Sequence, residues 1–474
     1  MSSSSSALSS LLSSMSSSSS IDLSSILQAA LGASSEGIDV TAAVNSAVTA
    51  ARAPEQAWES QQSTLQNQVS VLTQIQTDVT NLDNDMQNLN SLTGPLSAMT
   101  VSSSNSSLVT ASATAGSSTG NHVIVVNSLA TTASWTSKVY ASASTAMPAG
   151  SFTITPGNGN SKTISADGTQ TLSDVATEIN NDNLGLTASV ITDATGARLA
   201  IVANTSGAAA NFTVAPVTGS PDYGFAAAGT GNNAKVNVDG IDIQSATNTV
   251  TGVIPGVTLN LQSASQGTEV TLAVTSDTST VQNALQQFVT DYNTVISDLN
   301  SQFTFNGSSE GVLATDSTIR TLQSDMLGAL NYSYTPASGS TTIPNLTSLG
   351  ISVDNNGQLS LNTTTLQSAL QNNFSDVQNF FQGASLNGFA NSLDQQLTSF
   401  ISPSDGAFTV DLQSMNSQIT TLQNDVSDFE TNYITPLQTQ LQSEYSQAEI
   451  ALQELPTEMK QISAELGQNN SSNG

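Results

Sequence analysis

The sequence predicts an α+β protein of several domains, in which helical segments near both chain ends enclose a long β-rich middle. Apolar residues recur every seventh position from Trp58, and steps of three and four return after residue 411. Between these segments, short apolar stretches are punctuated by Gly, Asn and Asp, which is typical of strands and turns. The length of 474 residues leaves room for about three domains of roughly 150 residues.

Residues 1–36 are predicted to form a disordered Ser-rich tail, because serine tracts bury too little apolar surface to offset the entropy of ordering. A short apolar stretch within it, residues 21–31, is expected to fold only when a partner covers it. Residues 37–97 are predicted to form an N-terminal helical and coiled-coil leg. Asp39 is its N-cap, Pro54 restarts the helix, and the end falls near Gly94. The seam comprises Leu65, Leu72, Val79 and Met86, joined by Ile75, Leu82 and Leu89.

A mixed helical and β-hairpin domain is predicted from residues 98–130 together with 276–405. Two alternating segments, 108–113 and 122–126, flank the turn-forming stretch 116–120 and predict a hairpin. A second hairpin is expected around residues 354–357. Helical spacing is found over residues 281–295, 319–330, about 365–381 and 387–401.

The predicted β-rich head covers residues 131–275. One interpretation divides it into two subdomains, 131–150 with 231–275 and the inserted 151–230. Only residues 172–179 have helical spacing in this region. Strands are predicted over residues 151–155, 186–191, 198–203, 211–215, 234–238, 257–261 and 269–274.

Residues 406–467 are predicted to form the C-terminal coiled-coil leg, and 468–474 a disordered tail. The seam starts at Leu412 and follows alternating steps of three and four to Tyr433. Leu437, Leu441 and Tyr445 then advance by four each time, a stutter that predicts a bend where Pro436 removes a backbone donor. Pro456 is expected to interrupt the last stretch in the same way.

The composition excludes several functional classes. Seven Lys and Arg stand against 36 Asp and Glu, so the clustered cations that nucleic acid requires are missing, and a nucleic-acid partner is not expected. The absence of cysteine excludes disulfides, thiol nucleophiles and thiolate metal sites. No run approaches the roughly 18 apolar residues of a membrane span, so membrane insertion is not expected. No basic residue precedes Arg52, and therefore no cleavable signal peptide is predicted.

Three strings that match catalytic or ligand motifs are better explained structurally. The stretch from Gly116 to Gly120 matches the Gly-x-Ser-x-Gly elbow and His122 follows it, but strands rather than a strand and a helix flank it. The stretch 229–234 resembles a dinucleotide fingerprint, yet a strand follows it. Asp83 and Asp85 lie two apart on a helix, point to different faces and are interpreted as solvated. No catalytic, cofactor-binding or metal-ligating residues are predicted, no cofactor is expected, and an enzymatic activity is not expected.

Several segments resemble the flagellar hook-associated protein 2 family, the filament cap proteins. Residues 37–48 with the Ala-Arg-Ala-Pro turn at 51–54 are similar to that family's opening helix. Residues 248–259, 288–295 and 349–361 resemble the segment that opens its C-terminal half, the helix that follows and its recurrent hairpin. Residues 171–180, 186–190 and 198–202 are similar to an insert shared by flagellin and hook-associated proteins. The terminal leg departs from the family in its prolines and in its use of Gln, Ser and Thr for charged residues.

The resemblance implies a non-enzymatic assembly factor that forms a homo-oligomeric ring at the distal tip of the bacterial flagellum. It would help exported flagellin to fold and insert, and prevent its loss to the medium. The implied partners are further copies of itself, flagellin, hook-associated junction proteins and an export chaperone, and the implied location is outside the cell. The alternative is an adhesin or another hook-associated junction protein, whose β-rich head would contact host or surface polymers.

Overall fold

The computed structural model describes residues 40–157, 159–304, 310–336, 339 and 341–470. The predicted Ser-rich tail, its apolar stretch 21–31, the N-cap Asp39 and residues 471–474 lie outside the described residues. The chain divides into two compact units. The terminal-helix unit comprises the described residues of Met1–Thr80, Val295–Ser324 and Leu397–Gly474, and the central unit comprises Asn81–Thr294 and Asp325–Gln396.

The helices follow the predicted apolar periodicity closely, and an irregular residue, Arg52, separates the first two. In chain order they are α1 (Val40–Ala51), α2 (Ala53–Asn90), α3 (Leu172–Asn181), α4 (Thr278–Phe303), α5 (Ser317–Ala329), α6 (Thr363–Asn372), α7 (Phe374–Gln382), α8 (Phe389–Ile401), α9 (Ala407–Phe429) and α10 (Thr435–Asn470). The predicted helix at 365–381 is two helices, because the backbone of Asn373 leaves the helical conformation between α6 and α7.

Seventeen strands lie among the described residues, and every ladder between them is antiparallel. They are β1 (Met99–Ser103), β2 (Val109–Ala113), β3 (Gly120–Ser128), β4 (Ser134–Thr136), β5 (Gly150–Pro156), β6 (Lys162–Ala166), β7 (Leu186–Asp193), β8 (Gly196–Ala203), β9 (Phe212–Pro216), β10 (Ala226–Gly229), β11 (Ala234–Val238), β12 (Ile241–Ser245), β13 (Thr249–Ile254), β14 (Val257–Leu261), β15 (Val270–Ser276), β16 (Ile351–Val353) and β17 (Leu359–Leu361).

The strands form five sheets. Their orders are β1-β15-β3-β11-β12, β10-β4-β8-β7, β13-β14-β2, β6-β5-β9 and β16-β17. All seven strands predicted between residues 151 and 274 are confirmed, as is the β16-β17 hairpin around residues 354–357. Strands β1, β4, β6, β10, β12 and β13, each of six residues or fewer, were not predicted.

The predicted hairpin across residues 108–126 is wrong, although both of its strands exist. β2 pairs with β14, whereas β3 pairs with β15 and β11 in a different sheet. The loop between them bonds elsewhere as well, because the Gly116 amide donates to the Ser97 carbonyl and the Thr114 amide to that of Gly256. Alternation determines which face of a strand is apolar but not which strand lies beside it.

Two separate apolar cores stabilise the β-rich part of the central unit. One joins β2, β3, β11 and β13–β15 through fully buried residues such as Ile124, Leu259 and Leu272. The other joins α3 to β5–β9 through Phe152, Ile179 and Leu199. Helix α3 begins with a reciprocal capping box, in which Thr171 and Asp174 each bond the other's backbone amide.

A helical layer completes the central unit. Phe389 is fully buried, and its ring centroid lies 5.5–5.9 Å from those of Phe380, Phe381, Phe288 and Tyr332. The buried Gln382 closes the end of α2, since its Nε2 donates to the Leu89 carbonyl at 3.2 Å and to that of Ser91 at 3.0 Å. This contact satisfies carbonyl groups that a helix end leaves unpaired.

The C-terminal leg has one irregular turn rather than two interruptions. A single π-helical turn, Glu430–Ile434, lies between α9 and α10, directly before Pro436. The interruption predicted at Pro456 is wrong, because α10 continues through it to Asn470, three residues into the predicted tail 468–474. The four-residue steps of the sequence therefore mark a local change in helical hydrogen bonding at one place only.

Candidate functional site

The first helix of the described chain, α1, packs on the start of α10 and the turn before it in the terminal-helix unit. Val44 and Ala47 of α1 share a buried cluster with Ile434, Leu441 and Tyr445. Ile434 has no exposed surface, and Val44 has 1%. Because apolar burial is worth about 25 cal/mol per Å², this core is the main force that holds α1 against the C-terminal helix.

A second contact in the same unit joins α2 to α9. Leu65, a predicted seam residue, is buried with Ile419 and Leu422. Trp58 borders this cluster, and its ring lies edge-on to Phe429 with the centroids 5.5 Å apart. Leu65 of the predicted N-terminal seam therefore packs against Ile419 and Leu422 of the predicted C-terminal seam.

Arg52 is the cation at the junction of α1 and α2, and it binds two carboxylates. Its Nη1 lies 2.6 Å from Oε2 of Glu55, and its Nη2 lies 2.9 Å from Oε1 of Glu430. The hydrogen bond to Glu430 is the largest effect and raises the pKa of Arg52. Desolvation, the next largest, opposes the rise, and the hydrogen bond to Glu55 adds to it. These contacts fix the register between residues 378 positions apart. Since the groups are partly exposed, each ion pair contributes at most about 1 kcal/mol.

The π turn places Ile434 in the apolar core. The Thr435 amide donates to the Glu430 carbonyl, five residues earlier, and this widens the helix by one residue. Phe429 stacks on Tyr433 with ring centroids 5.0 Å apart across the same turn. The extra residue lets the seam on both sides of the turn face its partners despite the stutter.

The elbow-like and fingerprint-like strings occupy turns and strands. Gly116 lies between β2 and β3, and Gly120 is the first residue of β3, so a strand rather than a helix follows the central serine. His122 is on β3, and its Nδ1 lies 2.7 Å from Oδ2 of Asp239 in the β11-β12 turn. That contact and the Val123 amide hold the pKa of Asp239 below its usual range. Gly229 ends β10, and the strand β11 follows it as predicted.

The interpretation of Asp83 and Asp85 as solvated residues is wrong. Asp83 is 5% exposed and bonds Asp394 of α8, while the half-buried Asp85 bonds Asp291 of α4. Their faces do differ, as the two-residue spacing requires. The sequence missed these contacts because both partners lie more than 200 residues away along the chain.

The central unit also contains an open cleft of about 620 Å³ beside β3 and β11, lined mainly by polar side chains such as Asn127, Asn232 and Asn233. Two of its amides are used internally. Asn233 accepts a hydrogen bond from the Ala208 amide, and Asn232 donates to the Thr131 hydroxyl and the Thr230 carbonyl. No aromatic residue lines the cleft, so it lacks the stacking surface that sugars and bases favour.

Over the described residues, no three His, Asp or Glu side chains converge in a way that could hold a metal ion. Among the helices that the structure describes, none has both the length and the apolar character to span a membrane. The features with functional potential are therefore the packed terminal helices and the surfaces of the central unit.

Family models match most of the described chain. Residues 36–133 match the model described as flagellar hook-associated protein 2 N-terminus, and residues 231–457 match the corresponding C-terminus model. Residues 151–205, which include the predicted insert motif, match the flagellin hook IN motif.

Individual relatives agree with these models. The chain is similar to flagellar hook-associated protein 2 of Aeromonas caviae, at 29% identity over 78% of this chain and 84% of that protein. The B-type flagellar hook-associated protein 2 of Pseudomonas aeruginosa is 28% identical over 70% of this chain and 74% of its own. Among solved structures, the D1-D2-D3 domains of the flagellar cap protein FliD from Escherichia coli superpose with a TM-score of 0.59 at 24% identity. That superposition covers 73% of this chain and 99% of the other, and it supports the fold.

Proposed function

Because this chain belongs to the flagellar hook-associated protein 2 family, we propose that it caps the distal tip of a bacterial flagellar filament. The observation that carries the proposal is that both chain ends match the two family models and pack together as one helical unit. The cap promotes the folding and insertion of exported flagellin subunits and prevents their loss to the medium. It does so by binding and positioning, without enzymatic chemistry.

The proposed roles follow the domain division expected from the sequence. Residues 37–97 and 406–467 are the proposed legs that reach the growing filament end. Residues 98–130 with 276–405 form the proposed mixed helical and β-hairpin domain, and 131–275 the proposed head. The proposed partners are further copies of the chain in a ring, flagellin, hook-associated junction proteins and an export chaperone. The proposed place of action is outside the cell, at the flagellar tip.

The composition of the legs suits repeated release and rebinding. Exposed positions of α9 and α10 are mostly Gln, Ser and Thr, so contacts with a moving partner would be uncharged and individually weak. Apolar residues such as Ile419, Leu422 and Leu441 are instead buried in clusters within the terminal-helix unit. Such a surface lets many weak contacts exchange one at a time, as each new subunit requires.

Deleting the gene and measuring flagellin in the culture medium tests this proposal. Abundant monomeric flagellin with bare hooks is the expected result, and expression of the full chain should restore filaments. Normal filaments accompanied by lost surface attachment would contradict capping and favour the adhesin.

A matched pair of leg variants makes the test specific to the terminal helices. Leu422→Asp inserts a carboxylate into the buried α2-α9 contact, whereas Ser427→Asp adds the same charge at an exposed position of α9. We expect the Leu422 variant to leave flagellin in the medium and the Ser427 variant to restore filaments. Restoration by both would show that the packed legs are not needed for capping.

A further inference from the structure

The central unit contains two pairs of aspartates whose carboxyl groups face each other between helices. Asp83 of α2 bonds Asp394 of α8, and Asp85 of α2 bonds Asp291 of α4. Asp83 is 5% exposed, and the other three are half-buried. Both pairs therefore lie where the C-terminal end of α2 meets the two helices beside it.

The hydrogen bonding of these pairs is incomplete when every carboxyl is ionised. Oδ1 of Asp83 and Oδ2 of Asp85 are buried and have no donor. Gln87 donates to the other oxygen of Asp83 at 2.7 Å, and Gln287 donates to both oxygens of Asp291 at 3.0 Å. An ionised carboxylate only accepts hydrogen bonds, so two of them bond each other only through a shared proton.

No cation of this layer is available to neutralise the pairs. Residues 81–98, 276–294 and 325–396, which form the helical layer, contain no Lys, Arg or His. The other titratable side chains of these segments are four aspartates and three tyrosines, namely Asp277, Asp325, Asp354, Asp376, Tyr292, Tyr332 and Tyr334. Within this layer, a proton bound between the two carboxyl groups is consequently the positive charge that can neutralise each pair.

Burial and the facing carboxyl both favour the protonated form. Desolvation is the larger effect and the Asp394 charge the next, and together they raise the pKa of Asp83 from 3.8 to about 7. Desolvation and the hydrogen bond with Asp291 raise the pKa of Asp85 from 3.8 to about 7 as well. Within the terminal-helix unit, Asp78 and Asp298 form a similar pair, and burial raises the pKa of Asp298 to about 6.

We propose that the two carboxyl pairs of the central unit act as a proton-dependent clasp. In mildly acidic surroundings each pair shares a proton and holds the end of α2 against α4 and α8, and at neutral pH the clasp weakens. The idea concerns stability and stands independently of the proposed function. If the chain does work outside the cell, the clasp would make the stability of the protein depend on the pH of the medium.

The direction of the pH dependence follows from the pKa shifts. A carboxyl whose pKa is raised on folding stabilises the fold fully below its unfolded value of 3.8, and this contribution is lost as the pH rises towards about 7. The helix-capping Asp277 and the loop-binding Asp376 act oppositely, since hydrogen bonds lower their pKa and their contribution is lost in stronger acid. The helical layer should therefore be most stable near pH 4 to 5.

Thermal unfolding of the full chain at pH 4.5 and pH 7.0 tests the clasp. Asp83→Asn keeps an oxygen for Gln87 and gives Asp394 an N–H donor, so it imitates the protonated pair at every pH. Asp428→Asn, at an exposed position of α9, removes the same single charge from a chain of net charge −29 and controls for general repulsion. Infrared absorption of protonated carboxyl groups at pH 6 gives a readout that does not depend on unfolding.

We expect the wild-type Tm to fall between pH 4.5 and 7.0, and Asp83→Asn to raise it at pH 7.0 by about 3 °C or more relative to Asp428→Asn. At pH 4.5 the gain in Tm should vanish. At pH 6 the variant should lose part of the protonated-carboxyl band of the wild type. Equal effects of the two variants at pH 7.0, or an equal loss of Tm by Asp83→Asn at both pH values, would overturn the clasp. If Asp83→Asn does not fold, Asp394→Asn tests the same pair from the other side.

Discussion

Ile434 is the residue through which the π turn contributes to the packing of the chain ends, and Ile434→Ala should loosen that packing. Its side chain is fully buried against α1 residues such as Val44 and Ala47. The substitution removes three carbons, which lose about 2.4 kcal/mol of transfer free energy at about 0.8 kcal/mol each. The cavity left behind raises the expected cost to about 3–4 kcal/mol.

The matched control is Ile450→Ala on α10, the helix that follows the π turn. Ile450 is 58% exposed, so its truncation should change stability by less than about 0.5 kcal/mol. Urea unfolding measures both variants, and the free energy of unfolding should separate them clearly.

Limited trypsin digestion reports the same opening locally. Arg52 lies between α1 and α2 and is one of seven trypsin-sensitive residues in the chain. Cleavage after Arg52 should be faster in the Ile434 variant and unchanged in the Ile450 variant. A cost below about 1 kcal/mol for Ile434→Ala, or equal costs for the two variants, would refute the argument that the π turn anchors the terminal helices.

Three further predictions concern the central unit. Gly196→Ala should lower the Tm more than Gly185→Ala, because a Cβ at Gly196 would clash with the Tyr140 carbonyl oxygen whereas one at Gly185 meets nothing within 4 Å. Equal losses of Tm in calorimetry would show that left-handed backbone strain alone determines the cost of both substitutions. Phe389→Ala should cost about 3–5 kcal/mol in urea unfolding, since it empties the centre of the aromatic cluster, and a cost under 1 kcal/mol would mean that the neighbouring rings collapse into the space. Asp277→Ala removes the acceptor for the Ser279 and Thr280 amides and should cost about 0.5–2 kcal/mol at pH 7. The cost should shrink in stronger acid as the wild-type carboxyl becomes protonated, and a loss that does not depend on pH would exclude capping by the carboxylate.

The terminal helices were predictable because their signal is long and periodic. Leu72, Val79 and Met86 repeat over several turns, and each is fully buried in the structure. The strand pairing was not predictable to the same extent. The sequence of a strand such as β2 shows which of its faces is apolar. Its partner β14 begins at Val257, far along the chain, and no local feature of the sequence specifies that partner.

The carboxyl pairs were likewise not predictable, because their partners are distant in the sequence. Helical spacing correctly places Asp83 and Asp85 on different faces of α2. Whether each side chain is exposed depends on the helices that pack against those faces, and these helices belong to distant segments of the chain. The π turn was partly predictable. Its stutter is visible in the sequence at Leu437, Leu441 and Tyr445, but a stutter does not say whether the helix will bend or widen.

The discontinuity of the two units sets the order in which the protein can fold. The central unit is complete once residue 396 is available, whereas the terminal-helix unit needs residues from both ends of the chain. Contacts such as Arg52 with Glu430 have very large sequence separation, and contacts of this kind form late and slowly. Until α10 has emerged, the apolar face of α1 has no intramolecular partner from that helix. A nascent chain therefore passes through a stage in which its central unit can fold while the apolar face of α1 is not yet covered by α10.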